Sequence, residues 1–496
     1  MRTINTIFLP IIIAAIIVNI YGLFFQSVRL DESQSIWVAT KSVPVLLKIE
    51  AATGQMPLHT LIMHFWVQIF GTNIVVVRIL SLIFFVLTLP FLYWFANTAS
   101  YRNVALLTVI LFTFSPFILW YSNEAGMYTL FTLVVSASHL YFLRMINSDM
   151  KTGKLGYWLS TVVGLYTHYF FIFLLLAQMV YVFIKNPKSS GIIYLLIASA
   201  FFLFAPWIVY MGQLGGTLYR QGVIPSPTSY NIIQIFFNFI FGFPSASIQT
   251  FIISLWPISV MIIFFVFTRR EHLYISDPRY FILATFLPIM LVFFISYFQE
   301  IFVARYLILI TPSLFFLMAW VILNLTKRLY SLLTVTVIGA MFIFMLYQTT
   351  SPTTTVQEDY RGVTQYISTY ATPDDLVAVT APFTIYPIEY YYTGYARIIT
   401  IPPWNPAQDT PIPPFNQAQF INELNTDKKI YIRIFVVFSY DQPYAKTVKN
   451  YLDHHFATVQ AIKYPANIEL RVYRLRYDVS EPPSLTTAGF QYYMSD

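Results

Sequence analysis

Two adjacent carboxylates, Asp31 and Glu32, closely follow the first long apolar segment of the chain, residues 7–25. That segment is long enough and apolar enough to cross a bilayer, so it delivers both acids to the far membrane face. Residues 1–350 contain only eight acids in all. Acids this sparse, placed where a lipid-borne substrate arrives, suggest chemistry on that substrate; the alternative is a pair of solvated loop carboxylates.

The composition indicates a polytopic membrane protein. Of the 496 residues, 57% are hydrophobic and 10% are charged, which excludes an ordinary soluble protein. Residues 1–350 carry 18 Lys or Arg against 8 acids, whereas residues 351–496 carry 11 against 14. The positive excess is therefore a topology signal, and we expect membrane lipids and no nucleic acid as partners. The chain has no cysteine, which excludes disulfides, thiolate catalysis and cysteine-ligated zinc.

Eleven segments are candidate membrane spans, and we interpret the first as a retained signal anchor. They are residues 7–27, 73–97, 104–121, 125–143, 155–169, 170–184, 191–211, 248–268, 280–298, 304–325 and 330–348. Basic residues cluster in alternate gaps, which predicts a cytoplasmic N-terminus in the plasma (inner) membrane and an extracytoplasmic C-terminal region. The short segment 155–184 predicts two helices that meet near Thr167–Tyr169.

The same topology sorts the acids by membrane side. It places three of them inside, among basic residues, and five outside on three separate loops, where they could converge on one site. The outer acids are Asp31, Glu32, Glu50, Glu124 and Glu300. Residues 33–71 and 228–245 mix apolar and polar positions at helical spacing, so we expect amphipathic helices in the interface there.

The composition changes near residue 349, which divides the chain into a transmembrane domain, residues 1–348, and a C-terminal domain, residues 349–496. Short β-type runs alternate with helical runs in the second domain, which predicts a small extracytoplasmic α/β domain with a mostly parallel sheet. It contains no phosphate-binding glycine motif and no nucleophile elbow. Its role stays open between acceptor binding, a lid over the membrane cavity and a stability module.

Arg305 is the candidate for binding phosphate. It begins the apolar run Tyr306–Met318 at the predicted outer edge of a span. Its guanidinium suits bidentate phosphate contact, although an interface-anchoring Arg paired with Glu300 is the alternative. No spacing of His and acidic residues predicts a metal site, so a divalent metal is not implied.

Six stretches in sequence order carry a family resemblance. They are Asp31-Glu32; Gln55-Met56-Pro57-Leu58 with Phe65-Trp66, Phe70-Gly71, Arg78 and Ser81; Ser115-Pro116-Phe117 with the run from Trp120 to Tyr128; Tyr166-Thr167-His168-Tyr169-Phe170 with Gln178; Ala304-Arg305-Tyr306-Leu307 with Pro312; and Asp359-Tyr360-Arg361-Gly362 with Pro373-Asp374-Asp375. Over residues 1–400 the chain resembles GT-C superfamily glycosyltransferases, in particular the protein O-mannosyltransferase and aminoarabinose transferase group.

The resemblance implies a polytopic α-helical fold of the GT-C type with about eleven transmembrane helices. It also implies transfer of a sugar from a polyprenyl-phosphate to an acceptor hydroxyl on the outer face, with inversion. The acceptor is a lipid, a glycan or a protein. In these terms Asp31 is the base, Glu32 its supporting neighbour and Glu124 a second acid, while Arg305 and Tyr306 bind the donor phosphate. The expected substrate-binding residues are Gln55, His59, Tyr121, Tyr128, His168 and Tyr169.

Two departures from the family pattern concern donor or acceptor choice. Gln55-Met56 replaces the usual His-Pro, and Gly126 replaces the usual Arg. The histidines and tyrosines named above also have ordinary interpretations, as packed polar contacts and as interface-belt aromatics. Two other functions stay open: a transporter or flippase of a lipid-linked sugar, and a non-catalytic relative. Transporters usually place charges in mid-membrane and show internal repeats, and neither is evident here.

Overall fold

The structure is a computed structural model. It describes residues 2–147, 150–214, 227–243, 249–250, 253–254, 275–325, 327–350, 358–405, 412–440 and 442–476. Its internal contacts divide the chain into two compact units. The membrane unit comprises Met1–Phe25 and Val38–Ser351, and the sheet unit comprises Gln26–Trp37 and Pro352–Asp496. Asp31 and Glu32 therefore belong to the sheet unit.

The described part of the membrane unit is helical. Its helices are Arg2–Phe25, Val43–Ala52, Leu58–Phe70, Ile74–Ala99, Arg102–Phe114, Pro116–Ser122, Tyr128–Ile146, Met150–Thr167, Phe171–Lys185, Ser190–Gln213, Ser229–Phe241, Pro278–Ile295, the 3-10 helix Ala304–Ile310, Thr311–Leu323 and Lys327–Thr350. Six helices there are long and apolar enough to cross a membrane, or seven if one bent pair counts as a single span. The chain is therefore a polytopic membrane protein.

Most predicted spans coincide with one of these helices. The predicted span 248–268 lies almost entirely outside the described residues. Four further apolar helices, among them Phe171–Lys185, are shorter than the length required of a span. The number of eleven crossings therefore stays a prediction. The expected pair of helices within 155–184 is present, because one helix ends at Thr167 and the next begins at Phe171.

The predicted span 104–121 is not one straight helix. It is divided at Ser115, and its two parts meet at an angle of 63°. Ser115 caps the second part by accepting a hydrogen bond from Ile118 N, and Pro116 occupies the first helical turn. Because proline lacks an N–H and restricts the residue before it, a Ser-Pro pair favours a helix start over continuation. Ser115 also donates to the carbonyl of Phe239 at 2.6 Å, which fixes the bend to a neighbouring helix.

A glycine, Gly242, ends the neighbouring helix Ser229–Phe241. Gly242 has φ +73°, and a Cβ there would clash with the side chain of Gln348 and lie 2.9 Å from Pro116 Cβ. Gln348 accepts a hydrogen bond from Phe243 N at 2.8 Å. Three segments that are far apart in the sequence therefore meet at one backbone position that only glycine fits.

Aromatic rings fill much of the membrane unit's core. Phe95 contacts the rings of His139, Phe281 and Phe316 at centroid distances of 4.9, 5.8 and 5.7 Å. At one edge of this core Asp277 accepts hydrogen bonds from Lys185 at 3.0 Å and from Arg279. Such pairing is what the sequence predicts for an acid among basic residues.

The sheet unit contains the described segment up to Trp37 and a five-stranded sheet. Its helices are Leu30–Ala39, whose last two residues belong to the membrane unit, Tyr360–Tyr370, the 3-10 helix Pro382–Thr384, Ile385–Tyr391, Gln417–Asp427 and Ala445–His455. The strands are β1 (Asp375–Val379), β2 (Arg397–Thr400), β3 (Arg433–Phe438), β4 (Ala457–Tyr464) and β5 (Ile468–Arg474). Their order in the sheet is β2-β1-β3-β5-β4.

The expectation of a mostly parallel sheet is wrong. The pairs β1–β2 and β1–β3 are parallel, but β3–β5 and β4–β5 are antiparallel. The last two strands are joined by a tight turn with positive φ at Ala466 and Asn467. So short a connection permits only an antiparallel hairpin, whereas parallel neighbours require a longer crossover. The helical runs between the earlier strands supply such crossovers.

Candidate functional site

Glu32 caps the helix that carries Asp31. The helix Leu30–Ala39 begins just after Arg29, and the backbone N–H of Arg29 donates to Glu32 Oε2 at 3.0 Å. The Arg29 Nε atom lies 3.7 Å from the same oxygen, and the Glu32 side chain is fully buried. This is the carboxylate half of a capping box. Glu32 is thus occupied in fixing the helix start, whereas Asp31 is half-buried one position earlier.

A second carboxylate, Glu358, binds the same helix start. Leu30 N donates to Glu358 Oε2 at 3.0 Å. The hydroxyl of Tyr440 donates a short hydrogen bond to Glu358 Oε1. Burial raises the pKa of Glu358, and the charge of Asp31 adds to that rise. Asp31, Glu358 and Tyr440 are therefore close enough to interact electrostatically within the sheet unit.

The segment leading into this helix is also tied to the sheet unit. Val28 N donates to the Tyr391 hydroxyl at 2.7 Å, and Arg361 N donates to Ser27 Oγ at 3.2 Å. At the other end of the segment, the Trp37 ring lies 5.2 Å from the Tyr386 ring. Contacts at both ends hold Asp31 on an ordered stretch of backbone.

Glu124 is buried in the membrane unit, in the loop after the broken helix. Hydrogen bonds to Asn19 hold the two residues before it. Ser122 Oγ and Asn123 Nδ2 both donate to Asn19 Oδ1, at 2.5 and 2.7 Å. Glu124 itself is 3% exposed. A Cβ at Gly126 would lie 3.4 Å from Glu124 Oε1. It would also lie 3.3 Å from the Tyr128 ring, so Gly126 packs closely against Glu124 and Tyr128, and a larger residue here would require these side chains to shift.

Tyr121 and Tyr128 flank this loop, and their rings lie 4.6 Å apart. Both side chains are buried. Tyr128 is the first residue of the helix Tyr128–Ile146, and Phe131 follows it three positions later on the same face. The Phe131 ring stacks on His168 at 4.9 Å. One turn of helix thus connects the Glu124 loop with the predicted group around His168.

That second group combines His168, Tyr169, Arg305 and Tyr306. His168 lies 5.4 Å from the Tyr306 ring and 4.7 Å from Tyr169, and Tyr169 lies 6.2 Å from Tyr306. The Arg305 guanidinium lies 5.6 Å from the centre of the Tyr306 ring. Both residues belong to the 3-10 helix that precedes Thr311–Leu323. The arrangement places a cation at the end of a predicted span, against an aromatic wall, which is suited to an anionic lipid head group.

The predicted residues Gln55 and His59 lie at a third place in the membrane unit. Gln55 N donates to the Glu50 carbonyl at 2.8 Å, and His59 is buried in the helix Leu58–Phe70. Burial lowers the pKa of His59 to about 4, so this imidazole is neutral. Burial likewise raises the pKa of Glu50 to about 7, against a hydrogen bond with Thr60. A buried, neutral imidazole is typical of packing, and it is also suited to binding neutral hydroxyls.

The structure therefore sorts the predicted residues into separate groups. Asp31 and Glu32 share one helix turn in the sheet unit. In the membrane unit, Glu124, Tyr121 and Tyr128 form one group and His168, Tyr169, Arg305 and Tyr306 form another, while Gln55 and His59 lie with Glu50. Among the described residues, no cluster of three His, Asp or Glu side chains is arranged to hold a metal ion.

Sequence reasoning missed Glu358 and Tyr440. Glu358 directly precedes the quoted stretch Asp359-Tyr360-Arg361-Gly362, and that adjacency is the only available signal. Tyr440 lies two residues after Phe438, the last residue of β3, and carboxyl ends of strands commonly hold functional side chains.

Residues 54–210 match a family model described as dolichyl-phosphate-mannose-protein mannosyltransferase. No curated protein matches the chain significantly. Among solved structures, the chain is similar to ArnT from Cupriavidus metallidurans bound to undecaprenyl phosphate, with a TM-score of 0.60 and 10% identity over 96% of this chain and 99% of that chain.

Two further structures support the same fold. The apo state of that ArnT gives a TM-score of 0.61 and 11% identity, with the same coverage of 96% and 99%. Arabinofuranosyltransferase AftD from Mycobacteria gives 0.51 and 9%, over 95% of this chain and 40% of that chain. The resemblance inferred from the six sequence stretches is thus confirmed: the chain has the fold of the GT-C superfamily glycosyltransferases and resembles the protein mannosyltransferases and ArnT.

Proposed function

We propose that the chain is a membrane glycosyltransferase that moves a sugar from a polyprenyl-phosphate donor to an acceptor hydroxyl on the outer membrane face. The observation that carries the proposal is the half-buried Asp31 on a helix turn held by Glu32 and Glu358, within a fold shared with a transferase bound to undecaprenyl phosphate. An acid held in place by its neighbours suits a general base better than a freely solvated acid does. The acceptor is a lipid, a glycan or a protein.

The proposed step forms one bond and breaks one. The acceptor oxygen bonds to C1 of the sugar while the C1–O bond to phosphate breaks, so the anomeric centre inverts. Asp31 takes the proton of the acceptor hydroxyl, and the polyprenyl phosphate leaves with the bonding electron pair. Arg305, beside Tyr306, stabilises the negative charge on that phosphate. No cofactor or metal is required by this scheme.

The other predicted residues have supporting roles in the proposal. Glu124 is a second acid in the proposal, and Tyr121 and Tyr128 provide aromatic walls for sugar or prenyl chain. His168 and Tyr169 line the site that binds the donor phosphate, and Gln55 and His59 bind sugar hydroxyls. Gly126 stands where the family pattern has Arg, which favours a donor or acceptor that differs from that of better-known relatives.

A transfer assay tests the proposal. The full chain is reconstituted in lipid nanodiscs with a panel of undecaprenyl phosphates, each carrying one radiolabelled sugar, and with a membrane extract of a deletion strain as acceptor. We expect at least one label to leave the lipid for the acceptor, and not with Asp31→Asn. NMR of the product reports the anomeric configuration. Label that stays on the lipid for every donor contradicts the proposal. In sealed proteoliposomes, label that crosses the bilayer on its lipid supports the transporter interpretation.

A further inference from the structure

Both carboxylate oxygens of Glu358 accept a hydrogen bond. Oε2 accepts from Leu30 N at 3.0 Å, the first N–H of the helix that carries Asp31. Oε1 accepts from the Tyr440 hydroxyl. Glu32 already caps Arg29 N, so two different carboxylates fix two successive backbone N–H groups at one helix start. A helix N-terminus favours negative charge, which helps to hold both.

Tyr440 adopts an unusual backbone conformation to make its bond. Its φ is 50°, in the left-handed region that non-glycine residues rarely adopt. Non-glycine residues in this region carry backbone strain and cluster where a precise side-chain position is useful. Its ring is 41% exposed, so the position is not explained by burial of the ring in the sheet unit's core.

Charged and titratable groups face Glu358 from each neighbouring element. Asp31 and Arg29 lie at the start of the helix Leu30–Ala39, Tyr440 follows β3, and Tyr360 begins the helix Tyr360–Tyr370. Burial raises the pKa of Glu358, the bond from Tyr440 and the charge of Arg29 lower it, and the charge of Asp31 raises it. The charge of Asp31 therefore acts on Glu358 alongside these stronger influences.

We propose that Glu358 and Tyr440 are positioning residues for Asp31: they hold the first helix turn and keep the base in place for proton transfer. The inference rests on the proposed function, because it assigns Asp31 the role of base. The active state has both carboxylates ionised, Glu358 as acceptor from Leu30 N and Tyr440, and Asp31 as acceptor of the substrate proton. Because the active state needs both carboxylates ionised, protonation of either one lowers the rate and produces the acidic limb of the rate profile.

We expect substitutions at Glu358 and Tyr440 to move the acidic limb of the kcat profile in opposite directions. Glu358→Gln removes the Glu358 carboxylate, so the acidic limb of kcat moves to lower pH. Tyr440→Phe keeps the carboxylate but removes the donor that lowers its pKa, so the limb moves to higher pH. Both substitutions loosen the helix start, and we expect kcat at the optimum to fall roughly 10- to 100-fold, as for small misplacements of a reacting group. KM for the donor changes little.

The experiment measures kcat against pH in nanodiscs, with the donor that the wild-type protein uses in the transfer assay. Matched controls in the same unit are Glu423→Gln, whose carboxylate accepts only from Gln419 among the described contacts, and Tyr395→Phe, whose ring is 87% exposed. Neither control should change kcat or the limb. Glu358→Asp keeps the charge with a shorter reach and should recover part of kcat. Thermal unfolding and size-exclusion profiles show which variants fold.

The outcomes separate this inference from the proposed function. Opposite shifts of the limb in Glu358→Gln and Tyr440→Phe support it. Normal transfer with an unmoved acidic limb in both variants overturns the inference. A loss of kcat that parallels the loss of melting temperature, with the acidic limb unmoved, also overturns it, because that pattern indicates a purely structural role. If the wild-type protein and both controls transfer no sugar from any donor, the proposed function itself is wrong.

Discussion

Asn19 accepts a hydrogen bond from Ser122 Oγ at 2.5 Å, deep inside the membrane unit. The bond joins the first long helix to the broken helix that precedes Glu124. Asn123 Nδ2 shares the same acceptor at 2.7 Å, and Asn19 Nδ2 donates back to its own helix at the Ala15 carbonyl. This small buried network fixes the backbone from which Glu124 projects, so its loss should be measurable in stability as well as in activity.

We predict that Asn19→Leu destabilises the protein by about 1–3 kcal/mol, because it leaves the Ser122 and Asn123 donors without their shared acceptor. Ser122→Ala should cost less, since it removes a donor and leaves Asn123 bonded. Thermal unfolding followed by size-exclusion chromatography measures both. Thr98→Val, which loses only a bond to its own helix, is the control and should be near neutral. Equal melting temperatures for Asn19→Leu and wild type would show that the network is not structural.

Asp31→Asn keeps the shape of the side chain and removes the proton acceptor. We expect transfer to fall by about a hundred- to ten-thousand-fold, while the variant still folds and binds undecaprenyl phosphate. Glu32→Gln should lower transfer less but also lower stability, because Glu32 caps Arg29 N. Glu124→Gln should fall between them in transfer. Asp31→Asn activity within a few-fold of wild type would remove Asp31 from the catalytic role.

Arg305→Ala should weaken binding of undecaprenyl phosphate, measured by native mass spectrometry, by about tenfold or more. Arg305→Lys should recover only part of the affinity, since a point charge replaces a planar fork. The matched control is Arg397→Ala, an exposed Arg of the sheet unit. Unchanged binding in Arg305→Ala would leave this residue as a membrane anchor.

The buried Glu50 should make stability depend on pH. Its pKa is raised from 4.5 to about 7, so between these values the folded protein binds a proton that the unfolded chain has released. Stability therefore falls as pH rises from about 4.5 to 7, by on the order of 3 kcal/mol. Glu50→Gln should flatten this part of the profile. A profile from chemical or thermal unfolding that is the same in both proteins would contradict a buried, proton-retaining Glu50.

The predicted topology is tested by labelling, and the absence of native cysteine makes the background clean. Tyr395→Cys, at an exposed position of the sheet unit, should react with an impermeant thiol reagent on intact cells. Lys188→Cys should react only after the cells are opened. The reverse pattern would place the C-terminal domain in the cytoplasm.

The helices were largely predictable because each is encoded by its own stretch of sequence. The run 73–97 is continuous and apolar, and its helix is Ile74–Ala99. The bend at Ser115 was not predicted, although Ser-Pro is a local signal, because the apolar pattern continues through it. The sheet order was out of reach for a different reason: β3 pairs with strands on both sides, and pairing over long sequence separations leaves no local trace.

The residues of the candidate site were also predictable only in part. Asp31, Glu32, Glu124 and Arg305 were found because charges are scarce in an apolar chain. The stacking of Phe131 on His168 could not be read from either residue, since an aromatic ring in a membrane helix is ordinary. Glu358 lies 328 positions from Leu30, and no local sequence pattern predicts the hydrogen bond between them.

The glycine at 242 has a consequence for how the chain is made. Pro116, Gly242 and Gln348 meet at one point, but they leave the ribosome far apart in time. The bond from Phe243 to Gln348 cannot form until the helix Lys327–Thr350 has been synthesised and inserted. Until then the bend at Ser115 and the turn at Gly242 lack this third partner. A nascent chain halted before residue 348 would therefore be complete in its first helices and yet open at this junction, where quality-control proteases could recognise it.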